Sequence, residues 1–126
     1  MILFFKILNS INGKFVLFSI RTNKTREMIE IVENNAIHDN YLYGIDPHTG
    51  THDMIIRNNK VYRNNASAII CSKHCYDLLI EGNEVYKNGG ANRGIALSIN
   101  TTHSMVRNNY VHDQISCIGS NRGSNY

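Results

Sequence analysis

Four asparagines set the frame of this chain. Asn35, Asn59, Asn83 and Asn109 recur at intervals of 24, 24 and 26 residues. The same residue types return around each of them at fixed offsets. Three residues before stand Val32, Ile56, Ile80 and Val106, and two after stand Ile37, Val61, Val85 and Val111. Asn34, Asn58, Gly82 or Asn108 comes immediately before, and His38, Tyr62, Tyr86 or His112 three after. A unit of this size cannot bury its own apolar face, so the copies must stack on one another.

Each copy reads as a strand, a sharp turn, a short second strand, another turn and a third strand. Gly44-Ile45, Ala68-Ile69, Gly94-Ile95 and Cys117-Ile118 mark the third. The longest interval is explained if Gly90-Ala91-Asn92-Arg93 lengthens one turn. Helical periodicity is absent, and asparagine doublets such as Asn34-Asn35 and Asn58-Asn59 favour turns over helices. The leucine-spaced frame of a leucine-rich repeat is missing too. The pattern predicts an all-β, right-handed parallel β-helix, a single-stranded solenoid with about 24 residues per coil, over residues 28–126. Residues 1–27 fit the repeat poorly and read as an irregular N-terminal segment or a degenerate first coil. The repeat runs nearly to Tyr126 without a visible polar cap, so the solenoid reads as short, or as part of a longer chain.

Stacking makes further demands that the sequence meets. Equivalent residues of successive coils lie about 4.8 Å apart. At that spacing the four asparagines form an internal amide ladder, and Ile37, Val61, Val85 and Val111 an apolar column. Glu33, Arg57, Glu81 and Arg107 alternate in sign from coil to coil, and Lys60 faces Glu84. Like charges at this distance repel, so the alternation fits stacked neighbours. His38 and His112 share the slot of Tyr62 and Tyr86, which points to ring stacking.

Charge and composition narrow the function classes. A net charge of +3 and a pI near 8.8 suit an anionic polymer. The basic residues are scattered, without the basic stripe that nucleic-acid binding needs. Met1 to Leu8 is apolar but too short for a membrane span. It lacks the charged start and cleavage site of a signal peptide, and Lys6 and Lys14 interrupt it, so buried strands are expected. No membrane partner is indicated. Three cysteines exclude a complete intramolecular disulfide framework. Cys71-Ser72-Lys73-His74-Cys75 lacks the second paired cluster of a zinc site, and its cysteines read as buried small residues in a turn. Neither a metal site nor a cofactor motif is seen, and calcium is not indicated. Asp39 and Asp113 share a repeat position but stand coils apart, so they are not a carboxylate pair.

One copy departs from the others in a way the repeat does not require: Tyr43-Gly44-Ile45-Asp46-Pro47-His48. In the aligned strands Ile70 and Ala96 correspond to Asp46, and Ser72 and Ser98 to His48. With Ile45 pointing inward, Asp46 and His48 project outward on one face. Tyr43 reaches that face from the preceding turn. Pro47 is the only proline; it removes a ladder donor and so fixes the geometry of its neighbours. Alone, Asp46 and His48 would read as an exposed ion pair. With Tyr43 and Pro47 in register they read as a site, and His52 in the following turn is placed to line its cleft.

The hexapeptide resembles the Tyr-Gly-Phe-Asp-Pro-His signature of alginate (mannuronan) C-5 epimerases, β-helix enzymes that act on uronic-acid polymers. The resemblance covers about residues 28–126. It implies that Tyr43 and His48 are the proton-transfer pair, with base and acid unassigned, and that Asp46 holds or neutralises the substrate carboxylate. It further implies an anionic polysaccharide (polyuronate) partner and an extracellular or periplasmic location. A β-eliminating lyase can use the same groups. Members of the family place an arginine on a later coil, where this chain has Ile99; Lys73, His74 and Arg93 are the nearby cations, and with His52 they are the expected substrate-binding residues. The rival readings are a non-catalytic carbohydrate-binding solenoid and a periplasmic accessory β-helix of the copper-maturation type.

Overall fold

Short runs rich in β-branched and aromatic residues become strands, and eight of them end where the next residue, polar or glycine, takes left-handed backbone. The computed structural model describes residues 2–5, 29–47, 49–89, 93–97, 100–114 and 116–120. Its strands are β1 (Ile2–Phe5), β2 (Ile29–Glu33), β3 (Ala36–His38), β4 (His52–Arg57), β5 (Lys60–Tyr62) and β6 (Ile69–Cys71). They continue with β7 (Tyr76–Glu81), β8 (Glu84–Tyr86), β9 (Arg93–Leu97), β10 (Met105–Arg107), β11 (Tyr110–His112) and β12 (Ser116–Ser120). Every strand pairing is parallel. The strands form three sheets, ordered β1-β2-β4-β7-β10, β11-β8-β5-β3 and β12-β9-β6. A strand joins the same sheet once per coil, so the described chain is a parallel β-solenoid without a helix.

The register is the one the repeat requires. Val32 pairs with Ile56 and Ile56 with Ile80, while Ile37 pairs with Val61 and Val61 with Val85. These side chains are fully buried. In the third sheet Ile45 bridges Ile69, and Ile69 and Ile118 both pair with Ile95. The interval between coils is still 24 at Asn64 and Asn88 but 26 from Ile69 to Ile95. The two extra residues therefore fall between Asn88 and Ile95. At the other end, β1 pairs with β2 from Ile2↔Ile29 to Phe5↔Val32; the remainder of the N-terminal segment lies outside the described residues.

Each asparagine doublet divides one corner between two roles. The first residue takes the left-handed backbone: Asn34, Asn58 and Asn108 have φ of 59°, 55° and 55°, and Gly82 has 67°. The second turns inward and builds the ladder, with Asn35 Nδ2 donating to Asn59 Oδ1 at 3.0 Å and Asn59 Nδ2 to Asn83 Oδ1 at 3.0 Å. Asn83 Nδ2 donates to Asn109 Oδ1 at 2.9 Å. The same oxygens accept backbone N–H groups, and Asn59 Nδ2 also reaches Val32 O, so the buried amides satisfy the backbone at the bend.

A second ladder, which the sequence reading missed, runs through Asn40, Asn64, Asn88 and Gln114 at 2.8, 2.9 and 2.8 Å. Its left-handed residues are Asp39, Arg63, Lys87 and Asp113. The signal was available: the interval is again 24, 24 and 26, hidden because the last member is a glutamine.

The outer columns follow the stacking rule. Arg57 Nε lies 2.7 Å from Glu33 Oε2 and Arg107 Nε 2.7 Å from Glu81 Oε2, while Lys60 Nζ is 3.9 Å from Glu84. The His38, Tyr62, Tyr86 and His112 rings stack at 4.6, 4.9 and 4.8 Å between centroids.

Candidate functional site

The third corner carries the motif, and its geometry starts from the glycine. A Cβ on Gly44 would lie 2.5 Å from Val61 Cγ1 and 2.6 Å from the backbone oxygen of Ala68. Gly44 N and Ile45 N donate to Ser67 O and Ala68 O at 3.2 and 2.7 Å. The glycine thus lets this coil close onto the next, which fixes where Asp46 emerges. Ile45 points into the core, fully buried, as the alternation predicted.

Asp46 does not project into open solvent as expected from that alternation. It is 5% exposed, and Ser72 Oγ donates to its Oδ1 at 3.2 Å. The neighbouring coil covers it, and an exposed ion pair is ruled out as its description. After Asp46 the strand pairing stops: Ile45↔Ile69 is an isolated bridge, whereas the next coil pairs three residues, Ile69 to Cys71, with β9. Pro47 has no N–H to continue the ladder, which accounts for the difference.

Beyond Pro47 the chain turns at Gly50 (φ 80°), aligned with His74 (φ 56°) in the next coil. Gly50 N donates to Lys73 O at 3.1 Å, and Tyr76 N donates to Thr51 O at 3.1 Å. The Ser72–Cys75 turn therefore lies directly on the motif's turn. Lys73 and His74 are exposed there, and Tyr43 is half-buried on the other side of Asp46.

The turn is closed by a disulfide between Cys71 and Cys75. This corrects the reading of both as simple buried residues: they are buried, at 1% and 0% exposure, and also bonded. Cys75 Sγ packs 3.7 Å from Pro47 O, and Thr101 Oγ1 lies 3.4 Å from Cys71 Sγ. Ser72 and the disulfide are the parts of this corner that sequence reasoning did not single out. The available signal was a pair of cysteines bracketing one turn.

The remaining expected site residues are spread around the motif. His52 opens β4 beyond the corner, stacked on Tyr76 at 4.8 Å with its Nδ1 2.7 Å from Asp53 Oδ2. Arg93 opens β9, one coil beyond β6, with its backbone paired to Ser116. His48 and Ile99 lie outside the described residues. Among the described residues no group of three His, Cys, Asp or Glu side chains is arranged to hold a metal ion.

Among the described residues, Asp39 and His112 have perturbed titrations. Arg63, donating to Asp39 at 2.9 and 2.7 Å, holds that carboxyl far below the usual range, with help from His38. Glu84, and less so Asp113, raise His112. Open furrows of about 570 and 530 Å³ run along the two ladder corners, the larger lined by Asp39, Tyr41, Arg63 and Lys87. No motif residue lines either one. They repeat with the coils, and we assign them to turn stacking rather than chemistry.

The family model for the right-handed β-helix region matches residues 10–126, and the chain belongs to that family. This establishes the handedness of the solenoid, which is polysaccharide-related by family. Neither the curated proteins nor the solved structures give a match to the chain.

Proposed function

We propose that this protein modifies a polyuronate, most like a mannuronan C-5 epimerase that inverts carbon 5 of uronate residues within the polymer. The observation that carries the reading is the departure at the third corner. A carboxylate replaces an apolar residue of the repeat, is covered by the next coil, and lies beside an exposed turn bearing Lys73 and His74. The repeat itself does not require that carboxylate, since the aligned positions of the next two coils are Ile70 and Ala96.

The chemistry gives each residue a role. The proton on carbon 5 is weakly acidic, and its loss beside an ionised carboxylate would build up two negative charges. Neutralising the carboxylate lowers that cost. Asp46, acting as a carboxylic acid, and the Lys73–His74 turn serve this step. One of His48 and Tyr43 removes the proton and the other returns one to the opposite face of the ring. Histidine titrates in the useful range unaided, whereas tyrosine needs positive neighbours to give up its proton. Arg93 and His52 are assigned to the flanking sugar residues. No cofactor is required for this reaction.

The disulfide supports an extracellular or periplasmic location, because such bonds persist in oxidising compartments. The mild positive charge supports an anionic polysaccharide partner.

Proton NMR of mannuronan incubated with the protein is expected to show a rising guluronate fraction. Unsaturated chain ends at a constant ratio would instead identify a lyase that expels the glycosidic oxygen. Oligouronate binding with neither change would identify a binding solenoid, a reading favoured by Ile99 at the arginine position. No binding and no change would refute a polyuronate role.

A further inference from the structure

The disulfide raises a question that the fold does not answer. A solenoid stitched by two amide ladders gains little from closing a turn this short, because the chain entropy removed by a crosslink grows with loop length. The bond spans a sequence separation of 4 and sits inside the core. Its consequences are local, and they converge on one side chain.

Among the described residues, these contacts link the closed turn to the motif's coil. Ser72 Oγ donates to Asp46 Oδ1 at 3.2 Å, Gly50 N donates to Lys73 O at 3.1 Å, and Cys75 Sγ packs 3.7 Å from Pro47 O. Ser72, Lys73 and His74 are the residues between the two cysteines. The bond thus fixes both ends of the short segment that holds Asp46 and presents Lys73 and His74 beside it. Pro47 ends strand pairing on the motif's side, and between Asp46 and the pairing of His52 with Tyr76 the described backbone bonds between the two coils are Gly50 N to Lys73 O and Tyr76 N to Thr51 O, so the disulfide adds to a sparse set.

We propose that Ser72 and the Cys71–Cys75 disulfide are positioning elements of the uronate site. Ser72 orients the Asp46 carboxyl through its hydroxyl, and the disulfide holds the Lys73–His74 turn at a fixed height over the motif, so that a uronate carboxylate meets Asp46 and the Lys73 ammonium together. The inference rests on the proposed function and names a part of the same site that no repeat position requires. Ser72 acts through Asp46 and takes no part in proton transfer itself.

Two sets of variants test it, the first with one measurement that needs no substrate. In Cys71→Ala/Cys75→Ala, amide hydrogen exchange at Gly50 and Tyr76 should rise at least tenfold. Exchange at Lys60, Glu84 and Tyr110, whose N–H groups donate to ladder-corner carbonyls, should stay unchanged and shows that the solenoid is folded. Affinity for a mannuronate hexamer, by calorimetry, should fall about tenfold in the same variant. Ser72→Ala should lower turnover of mannuronan about tenfold with little change in KM and alter its pH profile, while Ser72→Thr, which keeps the hydroxyl, should restore both.

Unchanged exchange at Gly50 would overturn the role of the disulfide, whatever happens to binding. Faster exchange with unchanged hexamer affinity would also overturn it. Equal turnover in Ser72→Ala and wild type would overturn the role of Ser72. A wild-type protein that neither binds the hexamer nor acts on mannuronan would refute the proposed function instead, with exchange still deciding whether the disulfide holds the turn.

Discussion

The corner at Asn35, Asn59, Asn83 and Asn109 and the corner that follows Asp46 belong to the same coils, yet they are built on opposite principles. The first repeats one solution in four successive coils: a left-handed residue, then an inward amide bonded to the amide of the adjacent coil. The second does not repeat. Asp46, Ile70 and Ala96 occupy one column, an isolated bridge gives way to paired strands, and one turn alone is closed by a disulfide. A position that returns in every coil answers to stacking. A polar residue that appears once, and that the next coil covers, needs another reason to exist. In this chain that reason is sought in chemistry.

The comparison can be broken by substitution at either corner. The largest effect is expected at the motif: His48→Ala should lower mannuronan turnover by roughly a thousandfold, within the range of general acid–base catalysis, with the melting temperature unchanged. Equal losses of fold and activity would mean that His48 is structural. At the ladder the pattern should reverse. Asn59→Ala strands the amide of Asn35 and the carbonyl of Val32 and should cost about 3 kcal/mol, or roughly 10 °C in melting temperature. Turnover per folded molecule should hold; a selective loss of turnover would join the two corners into one functional unit.

Gly44→Ala lies between the two cases, because its Cβ would meet a backbone oxygen of the next coil. It should cost about 2 kcal/mol by overpacking and also displace Asp46, so stability and turnover should fall together. Arg57→Glu would put a third carboxylate in one column, between Glu33 and Glu81, and should cost about 1 kcal/mol, less at high salt. The smallest effect is a titration. Glu84 and Asp113 favour the charged form of His112, so its pKa by NMR should exceed that of an ordinary histidine, and Glu84→Gln should lower it. Since the folded value is the higher one, the associated stabilisation is full below the ordinary histidine pKa. It is lost as pH rises through the folded value.

The ladder corner was legible in the sequence because stacking imposes one rule per column and four copies reveal it. Asn35, Val61, Arg57 and Tyr62 each took the place that the repeat assigned. The second ladder escaped notice because Gln114 breaks the residue identity while preserving the chemistry: its side chain is one carbon longer and still presents the same amide oxygen. At the third corner the motif was visible as a departure, and its glycine is explained by the close approach of Ala68. The burial of Asp46 was not visible, since alternation tells which way a side chain leaves the strand and not what covers it. Ser72 was hidden for the same reason: it matters through contact with the adjacent coil, a relation to Asp46 across 26 residues that no local pattern encodes. The disulfide did have a local signal, two cysteines at a separation of 4 that bracket one turn.

The central claim is that the unrepeated corner removes the proton from carbon 5 of a uronate, a step shared by epimerisation and elimination. Proton NMR of mannuronan incubated with the protein in deuterium oxide measures that step directly. The account predicts loss of the carbon-5 proton signal as deuterium enters the ring, abolished in His48→Ala, or unsaturated ends if the glycosidic oxygen leaves instead. A polymer that the protein binds and returns with every carbon-5 proton in place and no unsaturated ends would contradict it.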